Sequence, residues 1–570
     1  MAATASLGVG DRYTPAEVQR FYDKGWWSRR HLTSYLDQWA AEDPAAPFMS
    51  DGVRSVTYGA FRDEAYQLAR SMRRLGVRHG QRIVVQLPNW VEFATAYVAA
   101  SRIGAVVVPI MPVYRFEEAE YVINHAEAVL AITTGTFRKF DHLEMFRDLR
   151  KSCPTLGDVI VVRGDAGTDE LRFDDLVARM GGTNADDELG PVPDPDDVHL
   201  IVYTSGTESK PKGCCHTWNT FGFSARGLAN DIFRMTRDDN VFMPSPVAHS
   251  TGLLVGVAVP LVAGSKAHLL DIWDPPTALA RIEEHQCTIS ASATPFVRMA
   301  LDAYDPNTSD MSSMRVWLCA GAPIPSTLVA EVMAAFPACH LLPLYGCSEV
   351  LAATSCNLDD PEPAVVNSDG RPALDGVEIT LADAEGNPVD EGQSGEILYR
   401  GPGSMLGYWH DADRTANAID QRGWYHTSDL GRVFGDGYVR VTGRLKDLVI
   451  RGGANISARE VEEHLDTHPK ILASAIVGYP DERLGEKACA FIVPADASDV
   501  PNLNDIAAYL RDIRRIAVHK IPERLEIVDA LPTGATGKIQ KFELRKRLDL
   551  TPEGARLNIA TTSRASAVSG

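Results

Sequence analysis

Five runs of aliphatic and β-branched residues punctuate this chain: RIVVQL from Arg82, AVLAITT from Ala128, DVIVVRG from Asp158, HLIVYT from His199 and RVWLCAG from Arg315. Their apolar positions are consecutive, not alternate, which predicts strands covered on both faces in a mostly parallel sheet. Between them lie segments of helical period such as FRDEAYQLARSMRRLG (61–76), which closes on a glycine, and PTALARIEEHQ (276–286). The fold class specified is α/β, with helices layered on sheet faces. A chain of 570 residues exceeds what one hydrophobic core serves, so two or more domains are expected.

The two longest apolar stretches are ATAYVAASRIGAVVVPIM (94–111) and TGLLVGVAVPLVAG (251–264). The first is broken by Arg102, Gly104 and Pro109, and the second is short and contains Pro260, so both read as buried helix and strand. From about Gly395 the texture changes to GEILYRG, GYVRVTGR and many glycines, predicting shorter antiparallel strands in a small β subdomain. After GRLKD (443–447) come AREVEEHLDTH as a helix, ASAIVGYPDERLGEKACAFIV as two strands about a turn, and NDIAAYLRDI as a helix. The expected organisation is a large N-terminal domain over 1–445, of mostly parallel layered sheets plus the β subdomain. A small α+β C-terminal domain follows over 446–555, then a disordered tail over 556–570 whose residues are small and polar.

A net charge of −20 argues against non-specific binding to nucleic acid or anionic membranes, so an anionic ligand must meet locally placed Lys or Arg. The nine cysteines show neither a CxxC pair nor His/Cys ligand spacing, which disfavours zinc and a disulfide framework alike. The opening MAATASLGVGDRYTP has neither the basic start nor the apolar run of a secretory signal, and the expected location is the cytoplasm.

Tyr203 to Gly213 reads YTSGTESKPKG. A glycine-containing loop directly after a buried strand presents N–H groups to phosphate oxygens, and hydroxyls and a lysine add donors and charge. It is not a Walker A loop, which would require Gly in place of Pro211 and Ser or Thr in place of Gly213. A surface turn rich in these residues is the plainer reading of the stretch by itself.

Five further segments follow in a fixed order: SPVAHSTG (245–252), CAGAPIP (319–325), LYGCSE (344–349), GWYHTSDLG (423–431) with GRLKDLVIRGGANIS (443–457), and PTGATGKIQK (532–541). Together with the loop they resemble the adenylate-forming ligases, the superfamily of acyl-CoA synthetases, adenylation domains and luciferases, over about residues 30 to 548. The resemblance implies a two-step reaction, in which a carboxylate attacks the α-phosphate of ATP and a thiol then displaces AMP. Both steps require positioning and charge stabilisation, not a protein nucleophile. ATP, Mg²⁺ and coenzyme A are the implied cofactors.

By the same resemblance Thr204, Ser205, Gly206, Thr207 and Lys212 embrace the β- and γ-phosphates, and Gly321, Ala322, Pro323, Tyr345, Gly346 and Ser348 surround the adenine and α-phosphate. Glu349, with Thr204, is the implied magnesium site; taken alone, Glu349 reads as a solvated helix-start carboxylate. Asp429 and Arg444 are the implied ribose contacts, Asp429 otherwise reading as a turn aspartate. Lys538, in a Gly-rich segment, resembles the lysine that bridges carboxylate and α-phosphate; its plainer reading is an exposed loop lysine. Lys446 matches the family hinge, about which the small domain turns to bring Gly452, Gly453 and Ala454 to the pantetheine chain. For RGGAN the plainer reading is a turn between strand and helix.

His249 occupies the position that borders the acyl pocket and thiol tunnel, with a satisfied structural histidine as the alternative. Gly252, Ala293, Ala320 and Gly321 complete the expected pocket, and its apolar lining favours a hydrophobic acid. PVAHSTG looks most like ligases of medium-chain and alicyclic acids such as cyclohexanecarboxylate, and steroid-derived acids stay open. Ser250 stands where dihydroxybenzoate-activating relatives carry Asn. The acceptor is CoA on this reading, with a carrier-protein thiol or an amine as alternatives, and a nucleotide-binding protein without turnover as a further class. The partners expected are small molecules, with no nucleic acid and no membrane span; homodimerisation is left open. Four departures from the family pattern are Glu208-Ser209 for Thr-Gly, Ser348 for Thr, Ser428 for Gly and Ala458 for Pro. An acid ~4 Å from a phosphate costs about 1 kcal/mol in water and more in a drier site, so Glu208 is expected to face solvent or pair with a basic residue such as Lys210.

Overall fold

The computed structural model describes residues 7–178, 188–204, 210–322, 324–452, 454–534 and 539–549. The chain forms two compact units, one of residues 1–379 and 399–426, the other of residues 380–398 and 427–570.

The first unit is built on two large, mostly parallel sheets. In one, Ile289–Ser292, Val316–Ala320 and His340–Tyr345 run parallel to one another and to Asn240–Met243, Lys266–Leu269 and Pro47–Ser50, and antiparallel strands lie at both edges. In the other, Val198–Thr204, Val106–Pro109, Arg82–Gln86, Leu130–Thr134 and Asp158–Val162 are parallel neighbours in that order. Lys212–Thr217 returns antiparallel against Val198–Thr204, and Gly407–Tyr408 forms the edge beyond it. All five sequence-predicted runs are strands, and their consecutive apolar residues are buried because helices cover both faces.

Helix boundaries follow from caps. The helix anticipated at 61–76 spans Tyr58–Arg74: the Thr57 hydroxyl accepts the Ala60 N–H and starts it a turn earlier, and Gly76, at φ 95, ends it. Its inward stripe is Tyr58, Phe61, Ala65, Leu68, Ala69 and Met72. The apolar stretch from Thr251 is the helical run Ser250–Leu253, Leu254–Ala258 and Val259–Ala263, with a π turn in its middle. Among the described residues no helix is long and apolar enough to cross a membrane.

The second unit takes most of a four-stranded sheet in which Tyr425–Phe434, whose first two residues belong to the first unit, pairs antiparallel with Tyr438–Arg444; that sheet begins with Glu378–Ala382, earlier than the expected change at Gly395. A further sheet pairs Ile471–Asp481 with Gly485–Pro494 as the anticipated hairpin. One face of that hairpin packs Ile476, Ala490 and Ile492 against Val461, Leu465, Ile506 and Leu510, and the other packs Ala475, Val477 and Phe491 against Leu544 and Leu548. RGGAN connects Leu448–Arg451 to Ala454–Ser457, so it is a turn between two paired strands and not a strand-to-helix turn. The helix, Ala458–Leu465, begins only after the second strand, capped by Ser457.

Five histidines of the first unit are buried and held neutral, with burial pushing His31 and His199 down to about 3 and His142, His216 and His268 down to about 4. In the unfolded chain each takes up a proton near pH 6.5. Their contribution is therefore complete above that pH and is lost as pH falls toward 4, with a slope of up to about 1.4 kcal/mol per pH unit per residue. The His31 ring caps Leu32–Glu42 by accepting the Thr33 N–H at 3.3 Å. Asn caps equally well without titrating. Urea midpoints measured between about pH 7 and about pH 4.5 should fall for the wild type and fall less steeply, by about one proton's worth, for His31→Asn.

Candidate active site

The phosphate-loop candidate closes a β-hairpin: Thr204 ends one strand and pairs directly with Lys212, which begins the next. A strand, Lys212–Thr217, follows directly, so no helix N-terminus stands at the end of this candidate loop. Lys212 Nζ donates to the Tyr408 hydroxyl at 3.1 Å and lies over its ring at 4.7 Å. The Tyr408 hydroxyl donates to Glu349 Oε1 at 2.9 Å, and Lys212 Nζ is 3.9 Å from the same oxygen. Burial and the Glu349 charge hold the Tyr408 phenol well above its usual range, so it stays a donor.

Glu349 lies in a turn after His340–Tyr345 and is 6% exposed, which replaces the picture of a solvated helix-start carboxylate. The turn is fixed from below. Its residue Ser348 gives its carbonyl to His216 Nε2 at 2.7 Å, so that nitrogen carries the hydrogen, and the ring's Nδ1 meets Thr220 Oγ1 at 3.1 Å. Burial pushes the His216 ring down to about 4, which keeps this tautomer neutral. The Glu349 carbonyl accepts the Met405 N–H at 2.7 Å, and Ser348 Oγ lies 3.3 Å from Ser250 Oγ. Gly346 admits no side chain, because a Cβ would come 1.8 Å from the Leu351 carbonyl oxygen.

The remaining candidates of this unit sit at the carboxyl ends of parallel strands, where ligands bind in open α/β sheets. Ala293 follows Ile289–Ser292, Ala320 ends Val316–Ala320 with Gly321 and Ala322 after it, and Tyr345 ends His340–Tyr345. His249 caps Ser250–Leu253, its Nδ1 accepting the Thr251 N–H at 3.3 Å. That is a structural role, and it leaves Nε2 as the nitrogen that carries the hydrogen. Gly252 packs against backbone, where a Cβ would lie 2.0 Å from the Pro246 carbonyl oxygen. Leu253, Leu254, Val255 and Val257 behind it are buried and apolar.

Asn89, at the end of Arg82–Gln86, joins the strand ends of the two sheets. Its Nδ2 donates to the carbonyls of Ser245 at 2.9 Å, Leu270 at 3.0 Å and Met243 at 3.3 Å, and its Oδ1 accepts the Val247 N–H at 2.8 Å. Asn89, His216 and Tyr408 were all passed over in the sequence. Their shared signal is a polar residue inside a stretch that is otherwise strand-like or apolar, which must find a buried partner.

In the second unit Asp429 and Arg444 face each other across paired strands, with Arg444 Nε donating to Asp429 Oδ1 at 2.9 Å. Lys446 lies in the turn Leu445–Asp447, where Arg545 pairs with Asp447 at 2.8 Å. Ala454 pairs with Arg451 at the end of the hairpin, and the Gly452 N–H donates to the Leu484 carbonyl at 2.7 Å. Ser205, Gly206, Thr207, Glu208, Pro323, Gly453, Lys538 and the 556–570 tail lie outside the described residues. Thr533 and Ile539, which flank the Lys538 segment, form an antiparallel bridge. Lys210 Nζ stands over the Tyr121 ring at 5.3 Å.

The family model for the AMP-binding enzymes matches residues 36–409, and that for the AMP-binding enzyme C-terminal domain matches residues 460–538. The chain belongs to the AMP-binding enzyme family. It is 36% identical to the medium-chain fatty-acid–CoA ligase of Escherichia coli (strain K12), over 92% of each chain. It is 31% identical to the 2,3-dihydroxybenzoate-AMP ligase of Bacillus subtilis (strain 168), over 94% of this chain and 97% of that one. The crystal structure of the anthranilate CoA ligase AuaEII with anthranoyl-AMP superposes with a TM-score of 0.82 at 25% identity, covering 92% of this chain and 98% of that one. The protein is thus an adenylate-forming acid ligase. ATP, Mg²⁺ and coenzyme A are the cofactors of the AMP-forming CoA ligases it resembles.

Glu349 fits a magnesium ion chemically. Magnesium is held by one or two carboxylates completed by phosphate oxygens and water, and Glu349 offers a buried carboxylate beside Lys212. Among the described residues no group of three or more His, Cys, Asp or Glu side chains forms a metal cage. An ion shared with a triphosphate needs none.

Beside Asp429, Ser428 has φ 58, in the left-handed region, while its N–H donates to Glu396 at 2.9 Å. A side chain there costs about 1 kcal/mol relative to glycine. Ser428→Gly should stabilise the protein by about that amount in urea unfolding, without disturbing the Asp429–Arg444 pair.

Proposed function

We propose that this chain is an AMP-forming acid–CoA ligase for a hydrophobic medium-chain or alicyclic acid. The observation that carries the reading is the likeness to the medium-chain fatty-acid–CoA ligase along nearly the full length of both chains. The buried aliphatic run behind His249 supports an apolar acyl group. An aryl acid is the second reading, favoured by the anthranilate ligase structure and the dihydroxybenzoate ligase. Against a dihydroxylated ring stands Ser250, whose short hydroxyl is engaged with Ser348 at 3.3 Å.

In the first step an acid carboxylate oxygen bonds to the α-phosphorus of ATP and the α–β phosphoanhydride breaks, giving acyl-adenylate and pyrophosphate. In the second, the CoA sulfur bonds to the acyl carbon, AMP leaves with the bonding pair, and the thiol proton is released. Lys212, with the 204–207 loop, offsets charge on the departing pyrophosphate, and Glu349 with Thr204 would hold Mg²⁺, which would supply charge neutralisation at the phosphates. Asp429 accepts from the ribose diol with Arg444 beside it, and Lys538 bridges carboxylate and α-phosphate. The small domain, from Lys446 to about residue 555, turns about Lys446 between the steps, withdrawing Lys538 and bringing the Gly452–Ala454 turn to the pantetheine chain. The enzyme works in the cytoplasm on small molecules.

A panel of straight-chain, alicyclic, aryl and steroid-derived acids, with AMP and acyl-CoA measured together, tests this. Medium-chain or cyclohexane acids should give equal amounts of both products. Amide or hydroxamate formed without thiol dependence would identify an amine-directed ligase, and absence of acid-dependent pyrophosphate release would mark a binding protein. Lys538→Ala should lower adenylation by about a hundredfold or more while sparing thioester formation from supplied acyl-adenylate.

A further inference from the structure

Lys212 and Glu349 carry opposite charges at the ends of neighbouring chain segments, yet their nearest atoms stand 3.9 Å apart, beyond hydrogen-bond distance. The Tyr408 hydroxyl occupies the interval, accepting from Lys212 Nζ at 3.1 Å and donating to Glu349 Oε1 at 2.9 Å. The Tyr425 hydroxyl is bonded to it as well. The ring cannot drift. Tyr408 pairs with Cys214 at the sheet edge, its N–H donates to Thr415 Oγ1 at 2.9 Å, and the side chain is 2% exposed.

Without an intervening group, an ammonium and a carboxylate in such a partly dry place close into a direct charge-assisted pair. A lysine so paired has less charge to offer a polyphosphate, and a carboxylate so paired has less to offer a cation. A phenol differs from either charged group in being able to accept from the lysine and donate to the carboxylate at once.

We propose that Tyr408 is a positioning residue for metal-bound nucleotide, a neutral spacer that keeps Lys212 and Glu349 separately aimed so that one meets the polyphosphate and the other the metal. The proposal rests on the roles given above to Lys212 and Glu349. Phe at this position keeps the ring and its packing and removes the hydroxyl that serves Lys212, Glu349 and Tyr425, after which Lys212 settles on Glu349.

The test is calorimetric titration of ATP into the full chain over a series of Mg²⁺ concentrations, for wild type, Tyr408→Phe, Tyr13→Phe and Glu349→Gln, with thermal melts to confirm folding. Tyr13 is a control for the loss of a buried hydroxyl, since it donates to the Ser404 carbonyl at 3.0 Å and the Gly401 carbonyl at 3.2 Å. Tyr408→Phe should raise the Mg²⁺ concentration for half-maximal ATP binding about tenfold, the scale of one lost hydrogen bond to a charged group, while Tyr13→Phe lowers the melting temperature and leaves that concentration unchanged. A folded Tyr408→Phe with wild-type Mg²⁺ dependence, or an equal shift in Tyr13→Phe, overturns the inference. If Glu349→Gln shifts the dependence and Tyr408→Phe does not, the spacer role alone fails; if neither does, the assignment of Glu349 to the metal fails with it.

Discussion

Asn89 shares its two amide hydrogens among three carbonyls and accepts one N–H at its Oδ1, all four partners lying at or just beyond the ends of strands in the neighbouring sheet. It is 4% exposed, so each bond replaces water that could not reach. Losing a partner for one such group costs about 1–3 kcal/mol. The consequence is geometric as much as energetic: the carboxyl end of one parallel sheet is locked to the carboxyl end of the other, and the segment from Ser245 that carries His249 is hung from that lock. The strand ends that carry Ala293, Ala320, Gly321 and Tyr345 lie on that same carboxyl side of the first unit's sheet.

Around Lys212 and Glu349 the structure separates charge. The chain's net charge of −20 repels an anionic substrate at long range, so the site depends on a few cations held where they are needed. Lys212 is held by strand pairing and by the Tyr408 ring, and Glu349 by a turn whose carbonyls answer to His216 and Met405. The supporting bonds come from groups that stay neutral, the His216 imidazole through burial and the Tyr408 phenol through burial and the adjoining carboxylate. Support of this kind adds no charge to compete with the ligand's own.

Much of the fold was legible because the relevant physics is local. Continuous apolar runs such as RIVVQL and HLIVYT can satisfy their backbones and bury both faces only as interior strands. The helix at 458–465 lies within AREVEEHLDTH, and the hairpin at 471–494 covers the two strands expected about a turn in ASAIVGYPDERLGEKACAFIV. What misled was contextual. Glu349 looked like an exposed helix start because its burial is produced by Tyr408 and Met405, distant in sequence, and RGGAN looked like a strand-to-helix turn because the short strand Ala454–Ser457 exists only by pairing with Leu448–Arg451.

The sequence by itself determined the layered α/β class, the order of the six motifs and hence the adenylate-forming chemistry, since these depend on residue type and spacing along one chain. Only the tertiary structure decided which neutral groups stand between and beneath the charged ones. Lys212 and Tyr408 are 196 residues apart, and Tyr408 and Glu349 are 59 apart. A hydrogen bond needs about 3 Å and a direction, and over such separations both are supplied by the packing of sheets, not by any pattern in the chain.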